Sequence, residues 1–221
     1  MLANHTYTGS NGKQNCVFPF EYMYLTQGEM TTAQDSSHKG SYAMDFQGYG
    51  ASGRILRCPY YAPCDMRLVA IADSNAHSYV YTSLQEVNFI DGSSGYLTLL
   101  VAHDDTSYSV GRLVKQGLEL GRTGTYGISY GDHVHMEVKK GQYEGCHTNS
   151  QGTYMLTNST HIYDLIGVDD TIIIQDGNYN WRVFGDTPIP MQNKRKNFPF
   201  VIYSRKRRNK YIYWFIFKKV I

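Results

Sequence analysis

The sequence contains no run of about 18 consecutive apolar residues, which argues against a transmembrane helix. Its first residues, Met1-Leu-Ala-Asn-His-Thr, carry neither the basic nor the apolar stretch of a secretory signal, so no signal peptide is visible. No internal repeat is present either. Cysteines are few: Cys16, Cys58, Cys64 and Cys146, without the paired spacing of a zinc ribbon. Cys58 and Cys64 bracket Pro-Tyr-Tyr-Ala-Pro and could meet across a turn. That spacing alone says little about geometry, so free thiols are the expectation. Acidic residues are missing from position 192 onward, where ten Lys or Arg fall, so the rest carries eleven bases against nineteen acids. An acidic body with a basic end reads as an appended interaction tail or a disordered end rather than a second folded domain. The apolar run at 211–217 is too short to span a bilayer. No recognition module accompanies the basic charge, so nucleic-acid binding is not expected.

What is present points to strands and turns. A chain of 221 residues holds one substantial domain and can bury a real core. It has 20 tyrosines and 21 glycines, and few long helical patterns, which favours a mainly β, antiparallel fold with long loops. Strands are expected at residues 17–24, 68–72, 78–81, 96–102, 133–138 and 171–174 from their β-branched and aromatic content. Turns are expected at Asp91-Gly-Ser-Ser-Gly95 and Asp176-Gly177, and six glycines break up the stretch 111–131.

The segment His133-Val134-His135-Met136-Glu137-Val138 carries the chemistry. In a strand, residues two apart share a face, so His133 and His135 point together while Val134 and Met136 point away. Two imidazoles on one face suit a metal and a proton-handling partner, although an isolated His-x-His is more often a solvated strand face. Upstream stands His38-Lys-Gly-Ser-Tyr-Ala-Met-Asp45. A helix would place its ends about 10 Å apart, too far for one zinc ion. The loop composition, with Gly40 available to bend the backbone, lets His38 fold back toward Asp45. A third piece is the apolar strand Leu99-Leu-Val-Ala102, which delivers His103 at its exit.

Together these residues resemble the M23 (LytM/lysostaphin-like) peptidoglycan endopeptidases. The resemblance runs from Ala102-His103 through Val114-Lys-Gln-Gly-Leu-Glu-Leu-Gly-Arg-Thr-Gly124 to Ser129-Tyr-Gly-Asp-His-Val-His-Met-Glu-Val138. Upstream, Tyr61-Ala-Pro-Cys-Asp65 and Leu68-Val-Ala-Ile71 are similar to a further family element. The resemblance implies an antiparallel sheet of the M23 type, with zinc held by His38, Asp45 and His135. It makes His103 and His133 the catalytic histidines that do not bind the metal. Three protein ligands leave a fourth position for water, as hydrolysis requires. Most of the family has His-x-x-x-Asp, whereas six residues separate His38 from Asp45, a longer form similar to some phage tail-tip members. His5 is too close to the terminus and lacks a comparable aspartate partner, while His77, His147 and His161 fall outside the motifs and read as ordinary surface or loop residues. Gly121, Gly124, Gly127 and Gly131 would let the loop wrap a groove wall, with Tyr126 and Tyr130 lining the groove or covering the sheet edge.

The implied organisation is a metallopeptidase domain at 1–187 and a basic aromatic tail at 188–221. Within the domain, 17–140 bears the motifs and 141–187 is an extension packed back on the sheet. The implied substrate is peptidoglycan, cut at stem peptides or cross-links, and phage tail proteins are candidate partners. Without a visible export signal, a phage virion tail tip or a lysis system would bring such an enzyme to the wall. A non-catalytic structural or wall-binding module on the same scaffold is the alternative.

Overall fold

In a computed structural model of the chain, the described residues are 1–29, 37–128, 131–169, 173–174, 179, 181–185, 203–207 and 210–214. The architecture is nearly all antiparallel β, and the one α-helix among the described residues is the single turn Ile162–Leu165. The main sheet is built from β1 (Tyr22–Gln27), β2 (Met44–Gly50), β3 (Gly53–Ile55), β4 (Met66–Asp73) and β5 (Ser78–Ser83). It is completed by β6 (Leu97–Ala102), β7 (Leu113–Val114), β8 (Val134–Lys140) and β9 (Ile173–Ile174). Spatial order is β7-β4-β5-β6-β8-β2-β1-β9, with β3 turning back on β2. Only the β1–β9 pairing is parallel within this sheet. No helix among the described residues is long and apolar enough to cross a membrane.

Period-2 alternation assigns each sheet face its role. Met44 and Phe46 of β2, Leu97, Leu99 and Val101 of β6, and Val134, Met136 and Val138 of β8 all enter one apolar core. Phe18, Phe20 and Trp181 close over them, with the rings of Phe18 and Phe46 meeting edge-on at 5.1 Å and those of Phe18 and Trp181 at 5.1 Å. The opposite face presents Asp45, His135 and Glu137. Beside them Val80, Leu100 and Ala102 lie under Leu156, with Tyr143 and Cys146 packed against them. With both faces covered, β5 and β6 are buried throughout, and β8 up to its last residue.

The strand expected at 17–24 begins only at Tyr22. Pro19 has no N–H to give a ladder, and Val17 and Phe18 instead join Gly167: Phe18 N–H donates to Gly167 O at 2.6 Å. Of the strand expected at 171–174, Ile173 and Ile174 pair with Tyr22 and Met23. Thr171, Ile172 and the Asp176-Gly177 turn lie outside the described residues. The extension packs back as expected: Ile162, Leu165, Ile166, Val168 and Trp181 are all in the main core. All four cysteines are free thiols. In the tail, Tyr203–Arg207 and Lys210–Trp214 pair as an antiparallel hairpin.

Phe46 is fully buried beside Asp45 and contacts Phe18, Phe20 and Trp181. Phe46→Ala is expected to destabilise the chain by about 3–5 kcal/mol, read from chemical denaturation. A loss below about 1 kcal/mol would contradict this packing.

Candidate metal centre

The site starts from the register of β2 against β8. Asp45 stands directly opposite His135, with Phe46 opposite Val134 and Met44 opposite Met136. Directly opposed residues share a face, so carboxylate and imidazole meet without any loop to bring them together. His135 Nδ1 lies 3.1 Å from Asp45 Oδ1. His38 arrives from the turn 37–40, where Ser41 N–H donates to His38 O at 3.1 Å and Gly40 adopts φ +82°. That turn folds the imidazole back, placing His38 Nε2 3.0 Å from the same Asp45 Oδ1. The longer His38–Asp45 spacing is therefore accommodated by the turn. His38, Asp45 and His135 are buried, and one ligand atom from each lies within 4.8 Å of the others, a group that can hold a metal ion.

The outward nitrogens show why a cation fits. His38 Nδ1 lies 3.0 Å from Gly28 O, and His135 Nε2 lies 3.0 Å from Glu137 Oε1. A carbonyl and a carboxylate can only accept, so both of these nitrogens donate, leaving the lone pairs of His38 Nε2 and His135 Nδ1 for the inner side. Neutral rings in those tautomers would aim two lone pairs at a carboxylate, an arrangement that needs positive charge at its centre. Without metal, a proton supplies part of it. Burial would lower the His135 pKa, but hydrogen bonds to Asp45 and Glu137 outweigh it and push the ring up to about 10. Burial likewise opposes Asp45 ionisation, yet His135 and His38 hold its carboxyl well below the usual carboxylate range. A metal bound here would take the place of that proton.

His103 and His133 stand beside this group. Their ring centroids are 5.0 Å apart, and His103 is 6.2 Å from the His135 ring. His103 leaves β6 with φ 68°, a left-handed turn costing about 1 kcal/mol for a non-glycine residue. Its N–H is anchored on Ala76 O at 2.8 Å, and its Nδ1 on Tyr126 O at 2.7 Å. His133 gives Nδ1 to Gly131 O at 2.8 Å, and its Nε2 lies 3.6 Å from Asp45 Oδ2. Among the described residues, neither ring has a backbone partner at Nε2. Burial, aided by the charge of His135, pushes the His103 pKa down to about 4, so the ring is neutral near pH 7.

The motif glycines are close-approach positions. A Cβ on Gly121 would meet Asp104 Oδ2 at 1.8 Å and Tyr60 Oη at 2.4 Å. One on Gly124 would meet His103 O at 2.4 Å. Gly124 also exchanges two 3.0 Å backbone hydrogen bonds with His133, so it spaces His103 and His133. Tyr126 is exposed and stacks on His77 at 3.7 Å, whereas Tyr130 lies outside the described residues.

His77, expected as a surface or loop residue, does lie in the turn 74–77 but is not at the surface. It is buried, giving Nδ1 to Asp104 O at 2.8 Å beneath Tyr126, and supports the turn that carries His103. His161 is also engaged, 2.7 Å from Glu29 Oε2, while His5 and His147 are exposed. Three polar supports went unremarked in the sequence. Glu137 orients His135, Asp104 accepts from the Tyr60 hydroxyl and from Thr106 and Arg122 N–H, and Asp132 accepts from Thr123 Oγ1 at 2.5 Å and Arg57 N–H at 3.1 Å. The available signal was position: Glu137 is two residues beyond His135 on the same strand face, and Asp104 and Asp132 adjoin His103 and His133.

No protein-family model matches the chain. It is 35% identical over 176 residues to Morphogenesis protein 1 of Bacillus phage B103, covering 79% of this chain and 46% of that protein. The chain therefore spans about half the length of this curated relative. Similar solved structures include a zinc-containing peptidase from Vibrio cholerae, 16% identical with a TM-score of 0.39, covering 61% of this chain and 43% of that one. Csd3 of Helicobacter pylori is 18% identical with a TM-score of 0.35, over 71% and 40% of the two chains. Pseudoalterin, a deep-sea M23 metalloprotease, is 14% identical with a TM-score of 0.37, over 96% and 95%.

Gly124→Ala is expected to destabilise the chain by about 1–3 kcal/mol by driving the His103 and His133 segments apart. In histidine-selective NMR the signals of those two rings should move more than that of His38. An unchanged unfolding midpoint would contradict the close approach.

Proposed function

We propose that this chain is a zinc endopeptidase of the M23 type that hydrolyses an amide bond in peptidoglycan stem peptides or cross-links. The observation that carries this reading is the convergence of His38, Asp45 and His135 on one point, with His103 and His133 alongside. The metal ligands are His38 Nε2, Asp45 and His135 Nδ1, a His/Asp/His set that suits zinc and leaves a coordination position for hydrolysis. When bound, zinc polarises the scissile carbonyl and lowers the pKa of a water toward about 7.

The remaining chemistry belongs to the two other histidines. With Nδ1 of each tied to a carbonyl, His103 and His133 present Nε2 toward the reacting groups. One neutral Nε2 accepts a proton from the attacking water, and one protonated Nε2 stabilises the oxyanion or returns the proton to the leaving amine. Asp45 joins the two halves, lying against both ligand imidazoles and against His133. The named relative belongs to a phage and is a morphogenesis protein, which supports placing the activity in a virion that must open a cell wall. The same name supports a second reading, a structural virion component on this scaffold. The presence of all five histidine and aspartate positions favours the enzyme.

Two variants and the wild-type chain separate these readings. His135→Ala is expected to lose zinc, measured by metal analysis after dialysis, together with all hydrolysis. His133→Ala is expected to keep about one zinc per chain while wall digestion falls by a factor of about 10²–10⁴. New amino termini released from purified walls report hydrolysis, and a chelator should abolish them. Wild-type chain that binds zinc but releases no amino termini from the walls of any of several bacteria would favour the structural reading. Zinc retained at full stoichiometry by His135→Ala would overturn the ligand assignment.

A further inference from the structure

The segment after β8 reaches back into the metal centre. A two-stranded hairpin pairs Cys146–Thr148 with Tyr154–Leu156, and both Met155 and Leu156 are fully buried. Leu156 N–H donates to Glu137 Oε2 at 3.0 Å, and the Ser41 hydroxyl donates to the same oxygen. The other oxygen, Oε1, accepts from His135 Nε2. Glu137 is fully buried, so its charge is held by three donors from three places: a ligand, the ligand-bearing loop and the hairpin. Ser159, just beyond the hairpin, closes the loop side, with its Oγ 3.1 Å from Ser41 Oγ and accepting from Tyr42 N–H at 3.3 Å.

The hairpin tip holds the other end of the same loop. Asn149 Oδ1 accepts from Gln151 and Thr153 N–H at 2.9 and 3.0 Å, which fixes the tip. Its Nδ2 donates to Ser37 O at 2.9 Å and Lys39 O at 3.3 Å, the two carbonyls flanking His38. The hairpin thus grips the His38 turn at Ser37 and Lys39, and, through Glu137, holds Ser41 and His135.

We infer that this hairpin is a clamp built into the metal centre: Asn149 and the Leu156–Glu137–Ser41 network are positioning groups that set the orientation of His38 and His135 toward the ion. The inference rests on the reading of His38, Asp45 and His135 as zinc ligands. A carboxylate behind a ligand imidazole fixes its tautomer and raises its basicity, and losing such a partner typically costs 10–100-fold in metal affinity. The hairpin supplies the donor that keeps that carboxylate in place.

The test measures zinc affinity by competition with a chromophoric chelator and records the absorption spectrum of the cobalt(II)-loaded full chain. Glu137→Gln is expected to weaken zinc about 10–100-fold and to shift the cobalt bands. Since Glu137→Gln alters a buried network, Asn149→Asp is the milder probe. It keeps the acceptor that fixes the hairpin tip but removes the donor to Ser37 and Lys39, and should weaken zinc about 2–10-fold. Tyr154→Ala, on the exposed side of the same hairpin, should leave affinity and spectrum at wild-type values. Wild-type affinity and spectrum in Asn149→Asp and Glu137→Gln would overturn the clamp while leaving the ligand assignment intact. A wild-type chain that takes up no zinc would overturn the ligand assignment itself, and the clamp with it.

Discussion

The centre depends on one pairing, Asp45 against His135 across β2 and β8. Strand alternation allows two outcomes for each of these residues, core or site, and a register slip of one residue would exchange them. The register is held from the other face, where Met44, Phe46, Val134 and Met136 belong to the apolar core. Hydrophobic burial on one side of the sheet therefore places a carboxylate and an imidazole within hydrogen-bonding distance on the other. The His38 turn and the left-handed exit of β6 at His103 add side chains to a position already fixed by backbone ladders.

Around that pairing, each titratable group is oriented by a partner that can act in only one sense. Carbonyls of Gly28, Tyr126 and Gly131 accept from His38, His103 and His133, and the Glu137 carboxylate accepts from His135. These partners orient all four imidazoles before any ligand arrives, which is the preorganisation that metal binding and proton transfer both require. Gly121 and Gly124 belong to the same logic, because the side chains of Asp104 and Tyr60 leave no room for a Cβ at the first and the backbone at His103 and Asp105 leaves none at the second.

Much of this was legible in the sequence, for identifiable reasons. His-x-His carries its own geometry, since a strand of any register keeps positions 133 and 135 on one face. The apolar and aromatic residues of β4, β5 and β6 announce strands through composition alone, and β5 and β6 are buried throughout. Pro19 misled the first strand boundary because a run of aromatics reads as a strand even where a proline withholds the ladder donor. The loop position of His77 was legible but its burial was not, because burial of a polar ring depends on distant contacts with Tyr126 and Asp104. Least legible was the hairpin, whose contribution to Glu137 is a backbone N–H, a group that every residue except proline possesses. Tyr130 and much of the basic tail lie outside the described residues.

The central claim is that one metal ion sits where His38, Asp45 and His135 converge. Anomalous diffraction recorded on both sides of the zinc absorption edge, from crystals of the zinc-loaded chain, tests it most directly. The account predicts a single strong peak bonded to His38 Nε2, an Asp45 oxygen and His135 Nδ1, with Glu137 hydrogen-bonded to His135 and not touching the metal. A peak bonded to Glu137 or to His135 Nε2, or no peak at this position, would contradict it.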